Sequence, residues 1–282
     1  MENILEIKNL SKKYDEFTLS DVNITLAKGC IMGFIGENGA GKSTTIKLIL
    51  NLIHRENGDI KILGLDNREK EIQIKEEIGV VLDESNFPDD IKAGEVSKIM
   101  KHIYRNWDDN VFQSYLKKFS LPMKKVVKEY SRGMKMKLAI AVALSHHAKL
   151  LILDEATSGL DPIVREEILE VFLEFIQDEE HSIFISSHII SDLEKIADYI
   201  TFIHKGKIVF SEPKDLLLDD YGILKCSKSD YDKIEKEIIV GCRKSQFGVE
   251  ALVKRNKLKG NYTIDQANLE DIMLFQIKGE VK

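Results

Sequence analysis

The segment GENGAGKS, residues 36–43, has the glycine, lysine and hydroxyl spacing of a phosphate-binding loop. Apolar IMGFI precedes it and KSTTIKLILNLI follows from Lys42, so we predict a buried strand, a tight loop and a helix. Glycines let backbone N–H groups turn toward phosphate, and the start of the helix adds partial positive charge. Lys42 supplies a point charge for the β- and γ-phosphates, and Ser43 supplies a hydroxyl for Mg²⁺. The segment therefore predicts a nucleoside triphosphate site.

Two consecutive acids end a second buried strand, because LLIL (residues 150–153) runs into Asp154 and Glu155. A carboxylate at the end of such a strand can hold Mg²⁺ beside a phosphate loop. The next carboxylate can polarise the water that attacks the γ-phosphate, which is the role of a general base. The same acids could instead open a loop or cap the next helix. We predict that Asp154 binds Mg²⁺ and that Glu155 is catalytic.

Polar residues also follow two further apolar strands. His188 comes after SIFISS, and Asp83 comes after IGVVL. A lone histidine in this position is often structural. Ligands of open parallel sheets, however, lie beyond the carboxyl ends of the strands. We therefore expect His188, Asp83, the two acids and the phosphate loop to share one crevice.

The strands that carry these residues alternate with helical stretches, which is typical of an α/β protein with a mainly parallel sheet. Residues 4–29 alternate with period two and predict an antiparallel β region in front of it. Residues from about 90 to 148 predict an inserted helical subdomain, with bases clustered at Lys124, Lys125 and Lys128. These segments together give a first domain over residues 1–220.

The C-terminal part of the chain shows a weaker pattern. ITFIHKGKIVF predicts a hairpin turning at Lys205 and Gly206. Residues 221–282 form a small α+β extension with a βαβ-like order and a final helix, ANLEDIMLFQI. No ligand motif is visible in this extension, so we expect a packing cap, a regulatory domain or a dimer brace.

Composition excludes several classes of protein. The 282 residues are 43% hydrophobic and 31% charged, as in ordinary globular proteins, and the net charge of −6 gives no support for a nucleic-acid partner. Cys30, Cys226 and Cys242 are far apart and read as reduced thiols. The start, MENILEIKNL, does not resemble a signal peptide, and no run reaches the roughly 18 apolar residues of a transmembrane helix. A membrane function would need a partner that crosses the bilayer.

Taken together, these motifs resemble the ATP-binding subunit of an ABC transporter over residues 1 to about 220. GENGAGKST is similar to its Walker A motif, LLILDE to Walker B, and SGLD, which ends at Asp161, to the D-loop. His188 falls at the switch histidine. The resemblance implies the following ATP contacts: Tyr14, Gly36, Glu37, Asn38, Gly39, Ala40, Gly41, Lys42, Ser43 and Thr44. Tyr14 would stack on adenine; without the resemblance, it is equally well a half-exposed sheet aromatic.

YSRGM, residues 130–134, occupies the place of the family signature, usually LSGGQ. The resemblance implies that this segment faces the ATP of a second subunit through Ser131, Arg132, Gly133 and Met134. Arg132 replaces a glycine and Met134 replaces the glutamine. The ordering is similar to the signatures of ABC-2 and antibiotic-exporter ATPases.

The Q-loop position, normally glutamine, holds Asp83, or Glu84 if the alignment shifts by one residue. A carboxylate there can bind Mg²⁺ or its water, as we predict for Asp83, but it adds negative charge beside a triphosphate. Asp83 therefore puts the usual link between Mg²⁺ and the membrane partner in question.

Cations crowd the helix that follows the signature, where the helix dipole favours acids. In an isolated monomer, positive charge at this end of a helix has no evident role. We therefore predict that the triphosphate of a partner contacts Arg132, Lys135 and Lys137, with simple solvation of the two lysines as the alternative. Ser131 is predicted to cap this helix. We expect its apolar face to be buried through Leu138, Ala141, Val142 and Ser145.

The resemblance implies a homodimer, or a heterodimer with a related subunit, that closes on two ATP and Mg²⁺. It would hydrolyse ATP at the cytoplasmic face of a membrane and drive a separate integral permease, for export of a peptide, antibiotic or other small compound. One alternative is a soluble ABC ATPase of translation or repair, although neither two fused cassettes nor an inserted coiled coil is visible. A second alternative is a regulatory subunit whose ATP hydrolysis is impaired, as Asp83 and the altered signature suggest.

Overall fold

The computed structural model describes residues 2–83, 87–260 and 262–278. The chain divides into two units, Met1–Ser211 and Glu212–Lys282, whereas the sequence pattern placed the division at about residue 220. Helix α8 (Lys214–Asp220) packs on the first strand of the second unit, so that unit begins earlier. Glu84, the alternative Q-loop residue, lies outside the described residues.

A four-stranded antiparallel sheet opens the first unit. In spatial order its strands are β2 (Thr18–Ala27), β1 (Asn3–Lys13), β4 (Asn57–Ile62) and β5 (Leu65–Asp66). The predicted antiparallel region corresponds to β1 and β2. Ile7, Ile24 and Ile60 from this sheet share one hydrophobic core with Phe34 and Ile46. The sheet is therefore packed against the strand and helix that flank the phosphate loop.

A six-stranded sheet forms the centre of the same unit. In spatial order its strands are β10 (Lys207–Pro213), β9 (Tyr199–His204), β3 (Ile31–Ile35), β8 (Ser182–Ser187), β7 (Leu150–Asp154) and β6 (Ile78–Val81). The strands from β9 to β6 pair in parallel. β3, β7 and β8 are buried along their whole length, as expected for strands covered on both faces.

The predicted hairpin between β9 and β10 turns at Lys205 and Gly206, which both have positive φ angles, of 46° and 75°. A Cβ on Gly206 would lie only 2.0 Å from the backbone oxygen of Thr18, so a side chain would push the turn off the antiparallel sheet.

Helices cover the central sheet. They are α1 (Lys42–Ile49), α2 (Glu71–Glu77), α3 (Ala93–Ile103), α4 (Asp109–Lys118), α5 (Arg132–Leu144), α6 (Pro162–Phe175) and α7 (Ile190–Ile196). The predicted helical insertion comprises α3, α4, a 3₁₀ turn at Val127–Glu129 and α5. Within the described part of the chain, no helix is long and apolar enough to cross a membrane.

Helix α5 begins as predicted. The Ser131 hydroxyl caps it by accepting a hydrogen bond from Met134 N at 3.2 Å. The expected apolar face is buried, and it comprises Leu138, Ala141, Val142 and Ser145.

The second unit is an α+β structure. Its elements after α8 are β11 (Tyr221–Cys226), α9 (Lys228–Tyr231), β12 (Ile239–Lys244), β13 (Val249–Lys254), β14 (Ile264–Gln266) and α10 (Leu269–Lys278). The sheet order is β12-β13-β11-β14, and its strand pairs are antiparallel. The predicted βαβ-like order is present at the start of this unit, where α9 lies between β11 and β12 along the chain. In the sheet, β13 lies between these two strands, and a tight turn closed by Ser245 N and Gly248 O joins it to β12.

Candidate functional site

Three neighbouring strands end at one crevice. β8 lies between β3 and β7, so the phosphate loop, His188 and the Asp154–Glu155 pair leave adjacent strands at their carboxyl ends. An open cleft of about 700 Å³ lies there. It is lined by Glu16, Phe17, Asn38, Gly39, Gly41, Lys42, Ser43, Thr44, Asp83, Glu155, Ser158 and His188. The cleft thus brings together the phosphate loop, Asp83, Glu155 and His188, whereas Asp154 is buried and is not among the lining residues.

Glycines shape the phosphate loop in two ways. At one position there is no room for a side chain, and at another the surrounding space is open. A Cβ on Gly36 would lie 2.6 Å from the backbone oxygen of Ile203. Gly41 has a φ of 115° and directly precedes α1. Gly39 has a φ of 79°, and no atom lies within 4 Å of the position that its Cβ would take. The loop is therefore tightly seated at its base and open at its tip, where an anion can approach the backbone N–H groups.

Lys42 is a buried cation, with only 6% of its side chain exposed. Its Nζ donates to the backbone oxygen of Gly36 at 2.8 Å and lies 3.5 Å from Glu155 Oε1. Among the described residues, Glu155 is the acid with which it forms an ion pair. A buried ammonium group with one distant carboxylate partner suits the binding of a phosphate.

Asp154 is oriented by a serine on the neighbouring strand. Ser186 Oγ donates to Asp154 Oδ1 at 2.5 Å and accepts a hydrogen bond from Glu155 N at 3.2 Å. Both residues are buried, and they lie opposite each other in the parallel register of β7 and β8. The sequence reasoning missed Ser186; its signal was the SS pair that ends the buried strand SIFISS. The Asp154 carboxylate and the Ser43 hydroxyl offer the oxygen ligands that Mg²⁺ prefers.

Glu155 and His188 form a close pair. Glu155 Oε2 lies 2.5 Å from His188 Nδ1 and 3.3 Å from His188 N. The backbone of Glu155 has a φ of 54°, a left-handed conformation that is uncommon for a residue with a side chain. Half of the His188 side chain is exposed, whereas the Glu155 side chain is mostly buried. The pair can hold a water molecule at the edge of the cleft and accept its proton.

Each cation at the start of α5 has an acid within the same chain. Arg132 Nη2 lies 2.6 Å from Asp83 Oδ1, and Lys135 Nζ lies 3.5 Å from Asp89 Oδ1. Lys137 is largely buried and paired with a glutamate of α6, Glu167. These ion pairs give the cations partners within one chain, which the sequence pattern did not predict, and the alternative of a solvated Lys137 was wrong. The contact of Arg132, Lys135 and Lys137 with a partner's triphosphate remains a prediction. Acids that are distant in sequence neutralise them locally.

The other signature and D-loop residues take part in local structure. A Cβ on Gly133 would lie 3.2 Å from Val164 Cγ1, so α5 packs closely on α6 there. Asp161 caps α6 by accepting from Ile163 N at 3.2 Å and Val164 N at 3.1 Å. Ser131 caps α5 in the same way. The proposed contacts of Ser131, Gly133, Met134 and Asp161 with a partner's ATP remain predictions.

Two aromatic residues lie before β2. Tyr14 is exposed, and Lys12 Nζ is 5.5 Å from the centre of its ring. The half-buried Phe17 lines the cleft, and its Cζ lies 3.0 Å from the position that a Cβ on Gly41 would take. Stacking of Tyr14 on adenine remains a prediction. Phe17 was missed because nothing in its spacing separates it from a core residue.

Comparison with known proteins identifies the family. Residues 19–158 match the ABC transporter family. The chain is 37% identical to the bacitracin transport ATP-binding protein BcrA of Bacillus licheniformis over 220 residues, which cover 77% of this chain and 72% of the relative. It is also 37% identical to the lantibiotic transport ATP-binding protein SrtF of Streptococcus pyogenes over 215 residues, which cover 75% of this chain and 92% of the relative.

A solved structure described as the ATP-binding subunit of an ABC transporter superposes with a TM-score of 0.68 at 26% identity. The match covers 75% of this chain and 90% of the solved chain. The chain belongs to the ABC transporter family, as one of its ATP-binding, ATP-hydrolysing subunits.

Proposed function

We propose that this subunit powers the export of an antibiotic or a related peptide. It acts as a dimer at the cytoplasmic face of a membrane and drives a separate integral permease. The transport activity rests on the two relatives that are named for bacitracin and lantibiotic transport. The observation that carries the ATP chemistry is the convergence of Lys42, Glu155 and His188 on one cleft.

ATP enters the cleft with its phosphates at the glycine loop. Backbone N–H groups around Gly39 and Gly41 and the Lys42 ammonium group bind the β- and γ-phosphates. Ser43 and Asp154 would hold Mg²⁺, which would supply positive charge to the phosphates. The Ser186 hydroxyl keeps the Asp154 carboxylate in position through its 2.5 Å hydrogen bond.

Hydrolysis depends on Glu155 as the general base. Glu155 contacts both Lys42 and His188. The γ-phosphate competes for Lys42, which leaves Glu155 able to accept the proton of an attacking water. His188 holds Glu155 in place and faces the same water. Because both residues are present and in contact, a hydrolysis-impaired regulator is the less favoured function.

The signature segment completes the site of a second subunit. The N-terminus of α5 carries partial positive charge, which suits a phosphate of the partner's ATP. Ser131 and Gly133 are the residues at that end whose small size permits close approach. Closure of the two subunits on ATP and their release after hydrolysis would move the permease between two states.

The decisive experiment has two stages. Lys42→Ala should abolish ATP binding and hydrolysis by the purified chain, because the buried phosphate partner is lost. The chain is then purified with the permease that accompanies it, and ATP hydrolysis is measured with peptide antibiotics and with non-peptide compounds of similar size. Stimulation by peptides alone supports the proposed substrate class. Equal stimulation by all compounds, or by none, would contradict it.

A further inference from the structure

Arg132 and Asp83 are held together across the rim of the nucleotide cleft. Arg132 Nη2 lies 2.6 Å from Asp83 Oδ1, although the two residues are 49 positions apart in sequence. The contact joins the segment after β6 to the first residue of α5. About half of each side chain is exposed. A charge-assisted hydrogen bond of this length fixes the arginine toward its own chain.

Asp83 borders two clefts at once. It lines the nucleotide cleft with Lys42 and Glu155, and it lines a second cleft with Arg132 and Tyr130. A carboxylate at the edge of a triphosphate site repels the ligand. Arg132 places a permanent positive charge beside that carboxylate, and the repulsion is offset locally.

The guanidinium group of Arg132 also lies close to a second loop. Gly159 has a φ of 67°, and a Cβ at this position would lie 2.8 Å from Arg132 Nη1. Gly159 belongs to the loop between Glu155 and Asp161 that leads from β7 to α6. The guanidinium group is therefore near both the Asp83 carboxylate and the loop that follows the proposed base.

We infer that Arg132 acts within its own chain as the counter-charge of Asp83, and that this pair sets how tightly the cleft binds a triphosphate. The inference rests on the proposed binding of ATP in this cleft. The two side chains carry opposite charges and are in contact at the rim of the cleft. Each therefore compensates for the other, and Arg132 is a positioning residue for the subunit's own ATP site.

A double-mutant cycle tests the pair in the monomer. The affinity for ATP is measured without Mg²⁺, so that the predicted Mg²⁺ contact of Asp83 plays no part. The proteins are the wild type, Arg132→Gln, Asp83→Asn and the double variant, at concentrations at which ultracentrifugation shows monomers. Arg132→Gln should weaken binding about two- to fivefold, because an unpaired carboxylate then faces the phosphates. The double variant should return to the wild-type affinity. The effect of Arg132→Gln should shrink at high salt, because exposed charges are screened.

Matched controls separate this effect from general loss of charge. Lys135→Gln and Asp89→Asn remove the neighbouring ion pair between the same two segments and should leave the affinity unchanged. Arg132→Lys keeps the charge and should retain most of the affinity. Thermal unfolding of each variant shows whether the fold is intact, and recovery in the double variant is a second check.

Two results would overturn the inference. One is an unchanged monomer affinity in Arg132→Gln, including the case in which only dimer formation is impaired. The other is a double variant that binds ATP as weakly as Arg132→Gln alone. Lys42→Ala serves as the reference in the same assay, because ATP binding that survives it refutes the proposed function and not the pair.

Discussion

Each carboxylate oxygen of Glu155 lies beside a basic side chain. Its Oε2 lies 2.5 Å from His188 Nδ1, and its Oε1 lies 3.5 Å from Lys42 Nζ. The proposed base and the proposed phosphate ligand are therefore ion-pair partners. A phosphate at Lys42 would compete with Glu155 for the ammonium group, which would couple the proposed base to occupation of the cleft.

Glu155→Gln should preserve ATP binding and lower the hydrolysis rate by at least about a hundredfold, because an amide cannot accept the water proton. The variant should also accumulate as an ATP-bound dimer. Phosphate release and size-exclusion chromatography with ATP measure the two effects. Glu166→Gln, which changes an exposed glutamate paired with Lys195, is the control and should keep wild-type turnover. Undiminished hydrolysis in Glu155→Gln would remove the catalytic assignment.

Ser186→Ala should raise the Mg²⁺ concentration needed for half-maximal hydrolysis about tenfold, since Asp154 loses the hydroxyl that orients it. A titration of the ATPase rate against Mg²⁺ measures this. Ser182→Ala is the matched control and should keep the wild-type Mg²⁺ requirement. Ser182 is also buried on β8 but lies at its opposite end, where it accepts a hydrogen bond from Gly29 N. The same Mg²⁺ requirement in both variants would show that Ser186 does not act through Asp154.

Gly79→Ala should lower the free energy of unfolding by about 1–3 kcal/mol. A Cβ at this position on β6 would lie 2.6 Å from both the backbone oxygen of Ala143 and Leu151 Cδ2, so α5 would have to move off the sheet. Urea unfolding measures the loss. Gly94→Ala in α3 should be neutral or stabilising, because the nearest atoms are 3.8 Å away and alanine favours helix. Equal stability of the two variants would contradict the close approach of α5 to β6.

The free energy of unfolding should fall as the pH drops below about 6.5, partly because of His146. Burial lowers the pKa of His146 from its ordinary value of 6.5, and the ring stacks on Tyr104 with 3.9 Å between centroids. The folded chain therefore keeps His146 neutral, while the unfolded chain takes up a proton first. This contribution is complete above the unfolded pKa and is lost as the pH falls through the folded one.

Urea midpoints of the wild type and His146→Gln, compared between about pH 7.5 and pH 5.5, measure this contribution. The wild type should lose more stability over that interval than His146→Gln. His147→Gln, at an exposed neighbour, controls for the removal of a histidine and should follow the wild type. Parallel pH profiles for the wild type and His146→Gln would contradict the assignment.

The phosphate loop and the buried strands could be predicted because their signals are local. GENGAGKS needs only eight consecutive residues, and a buried parallel strand reads as a short apolar run. Strands β4 and β5 were not predicted from the sequence. Their buried residues are only Ile60 and Ile62, which is too short an apolar pattern to indicate a strand. The second unit begins with the predicted βαβ-like order and ends in the predicted helix. The place of β13 between β11 and β12 was not predicted, because a short strand carries no signal of its position in a sheet.

The charge pairs of α5 could not be predicted, since their acids are distant in sequence. Glu167 lies 30 positions from Lys137, and Asp83 lies 49 positions from Arg132. A run of bases gives no information about which acids the fold will bring near it. Ser186 was missed for the same reason, because its meaning depends on the register between β7 and β8.

The place of β8 between β3 and β7 has a consequence for movement. Strands in a ladder stand about 4.8 Å apart, and their hydrogen bonds resist spreading. The spacing between these strands therefore sets the spacing of the phosphate loop, His188 and Glu155, which follow them along the chain. We expect this strand spacing to stay constant when nucleotide binds or leaves. Movement then comes from side-chain rotation, from the loops that follow the strands, and from rigid-body rotation of the whole unit.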